Sequence, residues 1–114
     1  MKKTVVLLFA AVMLFGIQSL RAESKTEKIK VSGNCGMCET RIEKAALAVA
    51  GVTKADWDAK SKDLTVVFDA SKASVDKIEV AVAKVGHDTP LHKADSKTYE
   101  ALPGCCHYDR PAAK

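Results

Sequence analysis

Alternating apolar and polar residues mark three stretches of this chain as β-strands. A period of two residues is the pattern of a strand with one buried face. Ile29 and Val31 alternate with charged neighbours over residues 27–32. Residues 52–58 and 64–69 show the same alternation, with Trp57 in the first and Phe68 in the second. Only the polar turn 59–62 separates these two stretches, so we predict that they form a hairpin.

Two stretches with helical periodicity alternate with these strands. The first runs from about residue 38 to 50 and ends before Gly51, and its apolar positions are Ile42, Ala45, Ala46 and Val49. The second follows Ser74, a residue type that favours helix N-termini, and ends before Gly86; its apolar positions are Val75, Ile78, Val82 and Val85. Residues 88–93 predict a weak fourth strand at a sheet edge, because Pro90 cannot donate to a neighbouring strand.

The order β-α-β-β-α-β predicts an α+β fold of the ferredoxin-like type. We expect two helices on one face of a four-stranded antiparallel sheet, followed by a short C-terminal tail. In that tail, residues 95–102 could add a helical turn before Pro103-Gly104, and residues 107–114 are expected to be frayed. The predicted division is a signal peptide over 1–22, one domain over 23–94 and the tail over 95–114.

The first 22 residues have the layout of a secretory signal peptide. A basic start, Met1-Lys2-Lys3, precedes an apolar run from Val5 to Ile17, and a cleavage site is predicted after Ala22. The run is short for a membrane span, although a retained anchor is the alternative. We therefore predict an exported protein, periplasmic if the source is a Gram-negative bacterium, whose mature form is not embedded in a membrane.

The net charge gives no reason to expect a nucleic-acid partner. The whole chain carries a formal charge of +4, and Lys2, Lys3 and Arg21 of the predicted leader account for most of it. No basic block with interleaved aromatic residues is present, so neither nucleic-acid nor membrane-surface binding is predicted.

Cys35-Gly36-Met37-Cys38 is the strongest chemical motif. It lies between the first strand and the first helix, so its two thiols can point at one small volume. Such a pair serves either a soft metal ion or dithiol redox chemistry. Unpaired N–H groups at the helix start should favour the thiolate that binds metal. A structural disulfide is the third interpretation, but a bridge between Cys35 and Cys38 would close a loop too small to stabilise the fold much.

A second group of candidate ligands lies near the C-terminus, at Cys105-Cys106-His107. Three soft or borderline ligands in a row can bind a metal, either as a second site or by folding back on the first. Alternatively, these cysteines form a disulfide with the first pair, bridge to another chain, or remain unused. Adjacent cysteines bridge each other only with strain.

The motif and the element order together resemble the heavy-metal-associated domain of copper chaperones, copper-ATPase modules and periplasmic mercury-binding proteins. The resemblance covers about residues 27–93 and is carried by 31–45, Gly51-Val52 and Lys84-Val85-Gly86-His87. It implies a βαββαβ fold with one soft ion held by Cys35 and Cys38. It also implies that the loop carrying His87 lies beside the thiols, which makes His87 a candidate third ligand.

Three features depart from the family pattern. The loop is one residue shorter before Cys35, and its methionine, Met37, lies inside the cysteine pair rather than before it. Ala46 stands where the family usually has a larger aliphatic residue, so Leu47 or Trp57 is expected to fill that space. His87 stands where many members carry an aromatic residue or a lysine.

These observations predict a non-enzymatic protein that carries or sequesters copper(I) through Cys35 and Cys38. No nucleophile–base pair, paired carboxylates or phosphate loop suggests catalysis. Mercury(II) is the alternative cargo, since two thiolates suit either ion; zinc(II) is less suited because structural zinc usually takes four ligands. Thiol–disulfide exchange is the alternative from another functional class. The expected partners are the metal ion and a metal-transporting membrane protein or efflux component.

Overall fold

The computed structural model describes residues 24–110. The predicted signal peptide over 1–22 lies outside this range, as do the last four residues. Two longer helices, one short helix and three strands precede a 3₁₀ turn, in the order β1 Ser24–Lys30, α1 Gly36–Leu47, β2 Val52–Trp57, β3 Asp63–Asp69, α2 Val75–Lys84, α3 Ser96–Glu100 and the turn Gly104–Cys106. No helix within 24–110 is long and apolar enough to cross a membrane.

The three strands form one antiparallel sheet in the order β1-β3-β2. Leu64 of β3 pairs with Ile29 on one side and with Trp57 on the other, and the side chains of all three residues are buried. The buried residues of the sheet and of α1 and α2 form one core: Ile29, Leu64, Val66, Phe68, Ile42, Ala46, Ile78 and Val82. The predicted α+β, ferredoxin-like arrangement is thus present, with the predicted hairpin between β2 and β3.

The predicted fourth strand does not form within the described residues. Over 88–93 the chain instead closes a turn, in which the Thr89 N–H donates to the His92 carbonyl at 2.8 Å. A single backbone hydrogen bond, from Ser32 to the Asp88 carbonyl at 3.0 Å, joins this loop to the segment after β1. Pro90 has no N–H to offer a ladder, and the Leu91 N–H donates to the Glu79 carboxylate instead. The sheet therefore has three strands.

Of the two residues predicted to fill the space beside Ala46, Trp57 is the one that lies in the same buried core as Ala46. Its side chain is 2% exposed, and its indole N–H donates to the Val31 carbonyl at 3.0 Å. Leu47, by contrast, is 48% exposed. The large ring at position 57 also lies under the thiol loop, because a Cβ atom added at Gly33 would come within 3.0 Å of it. Gly33 is therefore required for this close approach.

Replacing Trp57 with phenylalanine should lower the free energy of unfolding by about 2 kcal/mol, because it leaves the buried Val31 carbonyl unpaired and the core underfilled. Leu47→Ala, at the exposed position, should change it by less than about 0.5 kcal/mol. Urea unfolding of both variants measures the difference. Equal losses would contradict the assignment of the buried position to Trp57 and of the exposed position to Leu47.

The tail is folded onto the domain as far as Arg110, contrary to the expected fraying. The predicted helical turn is present as α3, and Leu102 packs against Gly86. The buried Tyr108 hydroxyl donates to the Gly86 carbonyl at 2.8 Å and accepts from the Asp88 N–H at 2.9 Å. Arg110 forms a bidentate pair with the Asp88 carboxylate at 2.9 and 3.0 Å. Together these contacts fasten the tail around the loop after α2.

Candidate metal centre

The loop between β1 and α1 brings Cys35 and Cys38 together. Cys35 occupies the N-cap position of α1 in an extended conformation, and Cys38 lies buried in the first turn. Their Sγ atoms are 3.5 Å apart. The Asn34 N–H donates to the Cys38 Sγ at 3.4 Å. This is the arrangement that the spacing of the two cysteines predicted: two thiols at a helix start, facing one volume.

The folded tail adds two more thiols to the same place. The 3₁₀ turn Gly104–Cys106 puts the Cys105 Sγ 3.0 Å from the Cys35 Sγ, and the Cys106 Sγ 3.5 Å from it. Cys105 is exposed, whereas Cys106 is fully buried. Cys35 therefore contacts the sulfur atoms of the other three cysteines, and the tail folds back on the first pair rather than lying apart from it.

Arg41 is a polar neighbour of the thiols that the sequence reasoning missed. Its guanidinium donates to the Cys106 Sγ at 3.3 Å and lies 3.5 Å from the His87 Nε2. Arg41 follows Cys38 by three residues on α1, so both side chains lie on one face of the helix. The three-residue spacing could have indicated that Arg41 lies beside Cys38. It could not show that the guanidinium would contact Cys106 and His87, which are distant in sequence.

His87 lies beside the cluster with its ring held by other groups. The side chain is fully buried, and its Nδ1 lies 2.8 Å from the Ser32 carbonyl, which can only accept. Nδ1 must therefore carry the proton, which leaves the Nε2 lone pair facing the Arg41 guanidinium. Burial lowers the pKa of His87, so the ring is neutral at pH 7. The ring thus orients Arg41 in this structure, and ligation by His87 stays a prediction.

Two further possible ligands, His107 and Met37, lie in different places relative to the cysteine cluster. The His107 ring stacks on Tyr99, with a centroid separation of 5.1 Å, and its side chain is exposed. The sulfur atoms of Cys35, Cys105 and Cys106 all lie within 4.8 Å of one another, and the His107 imidazole is not part of this group. The Met37 thioether, 3.6 Å from the Cys105 Sγ, lies at the exposed rim of the cluster.

The cluster favours one thiolate, on Cys35. The pKa of the Cys35 thiol is lowered to about 6, chiefly by its side-chain hydrogen bond with Cys105. Burial raises the pKa of Cys38 to about 11 and also raises the pKa of Cys106. The pKa of Cys105 is raised as well, chiefly by the same hydrogen bond. At pH 7 the site is thus one anionic sulfur surrounded by protonated thiols, and binding a metal through any second sulfur would release a proton.

Comparison with known proteins identifies the domain. The family described as the heavy-metal-associated domain matches residues 28–88. A mercuric transport protein periplasmic component from Shigella flexneri is 34% identical over 86 residues, which are 74% of this chain and 94% of that protein. The copper chaperone CopZ of Staphylococcus aureus strain JH9 is 33% identical over 63 residues, which are 54% of this chain and 93% of that protein.

A solved structure supports the same family assignment. This structure, described as a CopZ metallochaperone, superposes with a TM-score of 0.55 at 32% identity, covering 57% of this chain and 98% of its own. The matched family range contains both Cys35 and Cys38 and ends at the loop that carries His87. The chain therefore belongs to the heavy-metal-associated domain family, as the resemblance in the motif predicted.

Proposed function

We propose that this protein is an exported, non-enzymatic binding protein that carries or sequesters Cu(I) through Cys35 and Cys38. The observation that carries the proposal is the approach of these two thiols to 3.5 Å at the start of α1. Thiolates are the ligands that soft ions prefer, and the lowered pKa of Cys35 supplies one of them at neutral pH.

The charge of the site is compatible with Cu(I). Two thiolates and one Cu(I) carry a net charge of −1, and a partly buried anion needs a counter-charge nearby. The Arg41 guanidinium, which touches Cys106 at the edge of the pair, provides it. Zn(II) fits less well, because a structural zinc site needs four ligands arranged around the ion, and only three ligand atoms of this cluster lie within 4.8 Å of one another.

Hg(II) is the second candidate cargo. The mercuric transport relative aligns over 74% of this chain, whereas the copper chaperone relative aligns over 54%. The name of the longer-aligned relative, a periplasmic component of mercuric transport, also supports a periplasmic location and a role in metal transport. We therefore propose a metal-transporting membrane protein or efflux component as the protein partner.

Metal loading of the full chain tests the proposal. Protein expressed in a Gram-negative host, purified anaerobically and exposed separately to Cu(I), Hg(II) and Zn(II) should retain Cu(I) or Hg(II) through gel filtration, and Zn(II) poorly. Elemental analysis gives the stoichiometry, and N-terminal sequencing of the periplasmic fraction should begin at Glu23. Retention of none of the soft ions, together with catalysed reduction of a protein disulfide, would favour the thiol–disulfide exchange alternative.

A further inference from the structure

The tail brings two further sulfur atoms close enough to Cys35 to share one ion with it. With a metal–sulfur bond of about 2.3 Å, two sulfurs on opposite sides of an ion are about 4.6 Å apart, and three in a trigonal plane are about 4.0 Å apart. The Sγ separations among Cys35, Cys105 and Cys106 are 3.0, 3.5 and 3.9 Å. Cys35 and Cys38 would have to separate by about 1 Å from their 3.5 Å to enclose an ion linearly. Cys35 and Cys105 would have to separate by about the same amount from their 3.0 Å to form a trigonal site, whereas Cys105 and Cys106 are already at the required separation.

We propose that one soft ion is held by three sulfurs, those of Cys35, Cys105 and Cys106, so that the folded tail completes the metal site. This inference rests on the proposed function: it keeps the soft ion and Cys35, and it replaces Cys38 as a ligand with the two cysteines of the tail. Cys38 remains beside the site as a buried thiol, whose sulfur accepts the Asn34 N–H.

The tail is positioned for this role by contacts that do not involve the thiols. Leu102 packs on Gly86, the Tyr108 hydroxyl bonds to both Gly86 and Asp88, and Arg110 pairs with the Asp88 carboxylate. These anchors lie on both sides of the 3₁₀ turn that carries Cys105 and Cys106. The turn is therefore held over Cys35 from two directions, and the three sulfurs are brought together before any ion arrives.

The charge of the surroundings favours a soft divalent ion for the three-sulfur site. Three thiolates with a divalent ion carry −1, and with Cu(I) they carry −2. Arg41 donates to the Cys106 Sγ and so brings one positive charge into contact with the three sulfurs, while Lys44 lines the same cleft. The site is thus balanced for an ion such as Hg(II) and one charge short for Cu(I). We accordingly expect the tail to contribute more to Hg(II) affinity than to Cu(I) affinity.

X-ray absorption spectroscopy on the full chain tests the inference by counting sulfur ligands. Reduced, anaerobic protein loaded with one equivalent of Hg(II) should show three sulfurs. Cys105→Ser and Cys106→Ser should each show two and lose at least about tenfold in Hg(II) affinity against a competing dithiol. Because Cys105 is exposed, its serine variant should keep the circular dichroism spectrum of the parent. His107→Ala, which alters the neighbouring residue of the tail, is the matched control and should keep three sulfurs.

The outcomes separate the inference from the proposed function. Two sulfurs in the parent, with unchanged affinity in Cys105→Ser, would overturn the three-sulfur site and leave the Cys35–Cys38 pair standing. A Cys105 disulfide that persists in the Hg(II)-loaded protein, detected by intact mass and peptide mapping, would also overturn it. If Cys35→Ser and Cys38→Ser both bind like the parent, the proposed function fails, whatever the sulfur count.

Discussion

Replacing Cys35 with serine should weaken soft-metal binding by at least about a hundredfold, which is about 2.7 kcal/mol. The Cys35 sulfur contacts the sulfurs of the three other cysteines, at 3.0 to 3.5 Å. It is also the thiol with a lowered pKa, so the variant loses the sulfur that is already anionic at pH 7. A competition titration with a Cu(I)-specific chelator, repeated with a dithiol for Hg(II), measures the loss.

A variant at an exposed position near the start of α1 controls for changes in surface structure. Thr40 is exposed, and its hydroxyl donates to the Gly36 carbonyl in the first turn of α1. Thr40→Ala should therefore bind both ions as the parent does. An affinity of Cys35→Ser within a factor of two of the Thr40→Ala value would contradict a central role for Cys35.

The regular elements could be predicted because their causes are local. The alternation of Leu64, Val66 and Phe68 requires one buried face, and the structure buries these three residues. Ser74 caps α2 as expected, since its hydroxyl accepts the Lys77 N–H. The fourth strand was predicted wrongly because a weak alternation cannot show that Thr89 and His92 close a turn on each other. That outcome depends on Glu79, which lies on another element and accepts the Leu91 N–H.

The site could be predicted only in part, because some of its contacts are local in sequence and others are not. The meeting of Cys35 and Cys38 follows from their spacing at a helix start. The position of the tail depends on contacts between residues distant in sequence, such as Arg110 with Asp88 and Cys105 with Cys35. Single-sequence patterns carry little information about such pairs. Tyr108 was the available signal, since a large aromatic residue is usually well buried and a frayed segment would leave it nothing to pack against.

Alkylation of Cys35 should rise with pH through a midpoint near 6, about three pH units below an ordinary thiol in the same protein. Only the thiolate reacts, so a thiol with a pKa of about 6 is mostly reactive at pH 7, and its reactivity is lost as the pH falls through 6. Cys38, with a pKa of about 11, should stay unmodified over this range, as its burial also requires. Iodoacetamide labelling from pH 5 to 9, read by peptide mass spectrometry, gives the profile.

Removing the Cys105 thiol should move the pH midpoint of Cys35 alkylation upward. The largest cause of the lowered Cys35 pKa is the hydrogen bond with Cys105, so Cys105→Ala should shift the profile towards that of an ordinary thiol. His107→Ala leaves that hydrogen bond in place and should leave the midpoint near 6. A midpoint above 8 in the parent protein would contradict the stabilised thiolate. A midpoint near 6 in both the parent and Cys105→Ala would instead assign the stabilisation to the helix start and to the other two thiols, because these are what the variant retains.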